Sequence, residues 1–285
     1  MQPITQGIYY ENSYPGVTLG ALAYPHGTLL IDAPLRAEDA RSWRNALLSL
    51  GGNSRRLLVN LDSHTDRTLG ARAMDCTIIA HQKTAQVFRG RPAVFKGQNV
   101  ESGSEWETQN EAMGTRWAIP DMTFSQSVSI HWGQAEIILE HHPGPAAGAI
   151  WVIVPDEKVV FVGDAVLVNQ PAFLASADIP VWIETLALLQ QSFQDYIIVG
   201  GRDGPVAFVE AHKQQNHLHH AHETLEKLAQ ENVDPEKVES LVPALLADFK
   251  FPAKLEEQYT QRLRHGLYQY YIQHYLPAES SESIP

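Results

Sequence analysis

The residues best able to do chemistry sit in four short clusters, each beside an apolar run. Leu57–Leu61 leads into Asp62-Ser63-His64-Thr65-Asp66-Arg67, where a carboxylate, an imidazole and a second carboxylate fall at alternate positions. Side chains two apart on a chain leaving a strand share a side, so Asp62, His64 and Asp66 can converge on one point. His141-His142-Pro143-Gly144-Pro145 precedes the run Ala149–Val154. Val159–Val162 runs into Gly163-Asp164, and Tyr196–Val199 runs into Gly200-Gly201-Arg202-Asp203-Gly204. Carboxylates and imidazoles gathered in this way hold a divalent ion or move a proton. Strand ends with glycine-bearing loops are where α/β proteins build such sites.

These clusters need a frame. Runs rich in β-branched residues at Thr28–Ile31, Leu57–Leu61, Thr77–Ala80, Glu136–Leu139, Ala149–Val154, Val159–Val162 and Tyr196–Val199 read as strands. Ala40, Trp43, Leu47 and Leu50 recur at helical spacing, with Gly51-Gly52 as the stop, and a second helix is expected over Val181–Gln194. Strands and helices interleave, which implies sheets covered by helices.

Arg89–Pro120 differs in character. It opens with Arg89-Gly90-Arg91-Pro92 and carries three further glycines. It reads as an irregular excursion (about 89–120) with a short helix, of the kind that roofs a site. Trp106 and Trp117 within it are candidates for a substrate wall, whereas Trp43, Trp132, Trp151, Trp182 and Cys76 read as core or near-core. After about Ala207 the chain is helical by composition, divided by Pro235, Pro243 and Pro252 into a long, a short and a final amphipathic helix near Lys254–Tyr275. The final helix carries a stripe of Leu255, Tyr259, Leu263, Leu267, Tyr270 and Tyr271. That stripe predicts packing on the sheets, a homodimer contact being the other use of such a face. His212, His217, His219, His220 and His222 read as a solvated helix face, and residues 277–285 as a disordered tail.

Composition excludes several classes. The 285 residues carry 21 Lys and Arg against 33 Asp and Glu, a formal charge of −12. An acidic balance argues against a general nucleic-acid binder. Hydrophobic residues make up 44 %, enough for a large core, and no apolar run is long enough to span a bilayer. Met1–Gln6 lacks the basic and apolar segments of a secretion signal. A single cysteine, Cys76, can form neither an internal disulfide nor a thiolate cluster. These features predict a soluble, cytoplasmic protein with no membrane or nucleic-acid partner.

Taken in order, the clusters resemble those of the metallo-β-lactamase fold superfamily, over roughly Ile4 to Pro205. The family has a strand like Thr28–Asp32, then His-x-His-x-Asp-His-x-x-Gly, Pro-Gly-His, Gly-Asp and a late Gly-His-Gly. Ala80-His81 and Pro120-Asp121-Met122-Thr123-Phe124 also look like family features. The resemblance implies a four-layer αββα sandwich, an α/β fold, with the site at one edge between two sheets. The expected organisation is a metallo-β-lactamase-like domain over 1–205 and a C-terminal helical extension over 206–276 packed on it.

The resemblance also implies a damaged metal site. Of the family's seven ligand positions His64, Asp66 and Asp164 are kept. Asp62 stands for one histidine, Arg67 and Arg202 for two others, and Pro145 for the histidine of Pro-Gly-His. A guanidinium keeps its proton and offers no lone pair, so the second metal is expected to be absent. Asp62, His64 and Asp164 are the set left for one zinc, iron or manganese ion, with His141 or His142 the candidates to replace the lost histidine. Two readings follow. In the first, the centre is metal-free or metal-poor, and Arg67 and Arg202 take over the metal's charge and make a pocket for a small anionic molecule. In the second, a mononuclear centre hydrolyses an ester, thioester, lactone or phosphodiester, with Asp66 orienting water. A third, metal-free acid/base use of His64 with Asp66, has less behind it.

Overall fold

The computed structural model describes residues 1–50, 55–97, 101–132 and 135–276. Its strands are β1 (Gln2–Thr5), β2 (Ile8–Glu11), β3 (Leu19–Tyr24), β4 (Gly27–Ile31), β5 (Arg56–Val59), β6 (Thr77–His81), β7 (Met122–Phe124), β8 (Ser127–His131), β9 (Glu136–His141), β10 (Ile150–Val154), β11 (Val159–Gly163), β12 (Ile197–Gly200) and β13 (Gly204–Val206). The helices are α1 (Ala37–Ala46), α2 (Thr65–Thr68), α3 (Gln82–Gly90), α4 (Ile179–Ser192), α5 (Phe208–Gln230), α6 (Val242–Leu246) and α7 (Glu256–His274), with short 3-10 turns between several of them.

Strands β1 to β7 form one sheet in sequence order, and a second sheet runs β13-β12-β11-β10-β9-β8. The central strands are buried on both faces, and alternation divides their side chains between two cores. On β10 and β11, Ile150, Val152, Val154, Val159 and Phe161 face the first sheet and meet Leu29, Ile31 and Val59. Trp151, Ile153, Val160 and Val162 face the other way, onto Trp182 and Leu186 of α4 and Leu218 of α5. On the outer face of the first sheet Trp43 of α1 packs with Leu19, Leu30 and Leu58. Helix, sheet, sheet, helix is thus the layer order, and each interface is a continuous apolar core.

The parallel pairs decide where chemistry can sit. β4 runs parallel to β5, and β11 runs parallel to β12. Their C-terminal ends therefore deliver Asp32, the segment 60–68, Asp164 and Arg202 to one edge of the sandwich. There the two sheets are tied by Ile150 N donating to Leu61 O at 2.8 Å and Thr18 N donating to Gly201 O at 2.6 Å.

The C-terminal helices pack on the α4 side. Leu263, Leu267, Tyr270 and Tyr271 of α7 join the same core as Trp182. The excursion after α3 is irregular, with 3-10 turns at Glu105–Thr108 and Asn110–Ala112. Trp106 and Trp117 are buried in a satellite cluster with Phe88 and Phe95. Of the remaining tryptophans Trp43, Trp151 and Trp182 are fully buried and Trp132 is partly so. Cys76 packs partly buried beside the α1 core. The Gly51-Gly52 stop and the tail 277–285 lie outside the described residues. No described helix is long and apolar enough to cross a membrane.

Candidate functional site

Arg67 organises the sheet edge. Its side chain is fully withdrawn from solvent. Nη2 donates to Asp164 Oδ1, Nη1 lies 3.5 Å from Asp32 Oδ2, and Nε lies 3.6 Å from Asp62 Oδ1. Glycines make this possible. A Cβ on Gly201 would sit 2.6 Å from Arg67 Nη2 and 2.8 Å from Asp164 Oδ1. Gly163, which lets β11 turn into Asp164, has φ +60 and a would-be Cβ 3.1 Å from Arg67 Nη1.

Arg202 extends the network outward. Its Nε donates to Asp164 Oδ1 at 3.2 Å and Nη2 to Asp164 Oδ2 at 3.3 Å, a two-point grip on one carboxylate. Nη1 donates to Asp66 Oδ2 at 3.2 Å and to Glu105 Oε2 at 2.5 Å. Asp66 Oδ1 in turn accepts from the backbone N of Trp106 at 2.8 Å.

Beyond Glu105 stands a third arginine, from the last helix. Arg262 donates to Glu105 Oε1 at 2.9 Å, to Gly103 O at 2.9 and 3.1 Å, and to Gln170 Oε1 at 3.0 Å. The Phe173 ring lies between two guanidiniums, 4.4 Å from Arg202 and 3.9 Å from Arg262. His64 meets the same ring edge-on at 4.4 Å. Its Nε2 is 3.7 Å from Asp66 Oδ2, and with 23 % of its side chain exposed it forms the outer rim with Glu105 at 21 %.

Five carboxyl groups and three guanidiniums in one buried place shift each other's proton affinity. Burial raises the Asp164 carboxyl, but Arg202 and Arg67 together outweigh it and hold it well below the usual carboxylate range. Glu105 is likewise buried, and Arg202 and Arg262 bring it down to about 2. Asp66 moves the other way, raised by burial and by the charge of Glu105 to about 7. Burial also lifts Asp32 to about 8, against the charge of Arg67. Burial and Arg202 push His64 down to about 3, so its imidazole is neutral.

The structure therefore brings together Asp62, His64, Asp66, Arg67, Asp164 and Arg202, all named from sequence. Arg67 and Arg202 do bind anions, but those anions are carboxylates of the chain itself, and both guanidiniums are engaged with them. His141 and His142 are engaged elsewhere. His141 Nε2 pairs with Ala147 O at 2.9 Å and its ring stacks on His81 at 3.8 Å, while His142 stacks on Trp151. Trp106 contributes a backbone N–H to Asp66, with its indole buried among Phe95 and its neighbours. On α5 His212 and His219 face solvent, but His217 is buried with Nδ1 2.8 Å from Asp248 Oδ2, which corrects the expectation of a wholly solvated face.

Sequence reasoning missed Asp32, Glu105, Arg262 and Phe173. Arg262 did leave a signal, since it falls three residues after Tyr259 and four before Gly266, a charge on the apolar stripe of α7. Among the described residues no three His, Cys, Asp or Glu side chains are grouped so as to hold a metal ion.

The comparisons with known proteins agree with this architecture. A metallo-β-lactamase from Pontibacter korlensis superposes with a TM-score of 0.58 at 17 % identity, covering 76 % of this chain and 97 % of that one. The stereoselective inverting sec-alkylsulfatase Pisa1 from Pseudomonas sp. gives 0.62 at 14 % identity, covering 98 % of this chain and 50 % of the sulfatase. A double mutant of that sulfatase gives 0.63 at 14 % identity, covering 98 % and 51 %. The chain thus spans about half the length of these sulfatases, and at such identities the likeness shows the fold alone. No curated protein sequence matches the chain significantly. The family model described as the metallo-beta-lactamase superfamily matches residues 68–238, well over half of the chain. The αββα layers, the site edge and this match together place the chain in the metallo-β-lactamase superfamily.

Proposed function

We propose that this chain is a hydrolase-like member of its superfamily in which a metal-free network of guanidiniums and carboxylates stands where the dinuclear centre would be. The observation that carries this reading is the complete burial of Arg67 against Asp164, Asp62 and Asp32. A divalent ion among those carboxylates would face a fixed positive charge with no lone pair to offer.

The donor set left for one metal does not fit an ion either. Asp164 is gripped by two arginines, and Asp62 Oδ1 accepts from the backbone N of His64 at 2.7 Å while also facing Arg67. His64 alone of the three has a side chain not committed to a guanidinium or a backbone N–H. What the network supplies is electrostatic, because the guanidiniums neutralise carboxylates that would otherwise repel one another in a buried place.

The test is elemental mass spectrometry on protein purified without a histidine tag, beside His64→Ala and a variant lacking His212, His219, His220 and His222. The expected result is transition metal well below stoichiometry in all three, or metal lost only with the α5 histidines. About one ion per chain, lost in His64→Ala alone, would overturn the reading in favour of a mononuclear hydrolase of an ester, thioester, lactone or phosphodiester.

A further inference from the structure

A fourth arginine near the network is not consumed by it. Arg91 follows α3, in the Arg89-Gly90-Arg91-Pro92 segment, and its guanidinium lies 4.4 Å from the Trp117 ring centroid and 5.0 Å from that of Phe88. Nη2 donates to Ser63 O at 2.8 Å, directly beside the site segment. Nη1 is buried and has no hydrogen-bond partner. Arg67, Arg202 and Arg262 each rest on carboxylates, whereas Arg91 forms no ion pair among the described residues. Burial pushes its pKa down to about 10, opposed only by the charge of Asp62.

A part-buried guanidinium with an unpaired N–H and no carboxylate partner is costly to hold, and its place over the indole leaves it available to a counter-ion. Beside it is a cavity of about 110 Å³, lined by Arg91, Lys96, Thr65, Phe95 and Trp117. Lys96 is exposed at its mouth. The space is that of a molecule of a few heavy atoms, and its lining includes two cations, Arg91 and Lys96, and two aromatic rings, Phe95 and Trp117. One arm of Arg91 is already given to Ser63, and the aromatic lining suits a ligand with a hydrocarbon part, which favours an organic carboxylate over inorganic phosphate.

We propose that Arg91 and Lys96 form a binding site for a small organic carboxylate, its oxygens on the two cations and its hydrocarbon part against Phe95 and Trp117. The site lies next to the Arg67 network but stands independently of whether that network holds metal. It gives the protein a ligand class, one set by a cation pair and an aromatic wall.

The test is calorimetric titration of the full chain, in EDTA, with butyrate, inorganic phosphate and butan-1-ol. Butyrate is expected to bind saturably with a Kd on the order of 1 mM, and phosphate and butan-1-ol not to bind. Arg91→Met, which keeps an apolar side chain over Trp117, should weaken butyrate by at least about tenfold. Lys96→Glu changes an exposed residue and so should leave the fold intact while weakening butyrate by about threefold or more. Absence of saturable butyrate binding, parent-like affinity in either variant, or binding of phosphate in place of butyrate would each overturn the proposal. Metal content is measured separately, so failure here leaves the metal-free reading untouched.

Discussion

The Cβ that Gly201 lacks would lie 2.6 Å from Nη2 of Arg67, closer than any real contact. The glycine and the arginine are therefore one device, since the bare backbone at the end of β12 is what lets a guanidinium fill the space between the sheets. Gly201→Ala should force Arg67 off Asp164 and cost about 3 kcal/mol, from overpacking and from a broken buried pair. Gly90→Ala, where a Cβ would meet nothing within 4 Å, is the control and should change stability by less than about 0.5 kcal/mol. Urea midpoints of the two variants check this, and equal midpoints would remove the steric link.

Asp32 sets the pH dependence of the same network. Its carboxyl is raised by burial to about 8, while in the unfolded chain it has its ordinary value near 4. The native state thus binds a proton that the unfolded state has lost over that interval. Its contribution to stability is complete below the unfolded pKa and disappears as pH rises through about 8. Asp66, raised to about 7, acts in the same direction. Unfolding free energy should fall between about pH 4 and 8, by up to about 1.4 kcal/mol per pH unit for each such group, with Asp66 contributing only up to about pH 7. Asp32→Asn keeps the neutral form and the αL backbone that Asp32 adopts at φ 57. Urea titrations across that window should show a shallower slope in the variant, and parallel slopes would exclude Asp32 as the source.

Arg262 ties the last helix to the site. It reaches Glu105, Gly103 O, Gln170 and Pro171 O from one buried side chain. Arg262→Met leaves Glu105 with Arg202 as its remaining arginine, and should destabilise by about 3–5 kcal/mol. Arg262→Lys should recover less than half of this, because an ammonium cannot reproduce a planar fork serving four acceptors. A chain ending at Pro252 loses Leu263, Leu267, Tyr270 and Tyr271 from the core as well as Arg262. Loss of a cooperative thermal transition is expected for it, and a truncated chain that still unfolds cooperatively near the parent's Tm would show that α7 is dispensable.

Much of this was legible in the chain, and for physical reasons. The strands carrying the motifs are β-branched runs buried on both faces, and polar residues at their C-terminal ends stand out against them. Arg67 and Arg202 at two ligand positions foreshadowed their pairing with Asp66 and Asp164. The N-terminal strands were not legible, because Gln2–Thr5 and Ile8–Glu11 are half-exposed and mixed, and Leu19–Tyr24 is rich in alanine and glycine. Glu105 was hidden in a segment with no periodicity, and its role depends on the fold bringing residues 103–105 against α7. Asp32 reads locally as the end of a strand, and only the parallel pairing of β4 with β5 sets it beside Arg67. The expectation of a ligand-binding pair at Arg67 and Arg202 missed how many carboxylates the fold would supply.

His64 is the residue on which an acid/base reading would have to rest, and its surroundings decide its protonation. Burial first, then the charge of Arg202, push its pKa down to about 3, with Asp164 opposing. At pH 5 to 8 the imidazole is neutral, so it can accept a proton bond but cannot serve as a proton donor of ordinary acidity. Long-range proton–nitrogen NMR of the histidine rings, with His64→Gln to assign the signal, should find His64 in one neutral form throughout that range. A His64 midpoint between pH 5 and 8 would mean that the ring is reached by water and Arg202 is withdrawn from it in solution. The network would then have to be open there, with Asp66 available to pair with an imidazolium at the 3.7 Å separation now spanned by a neutral ring.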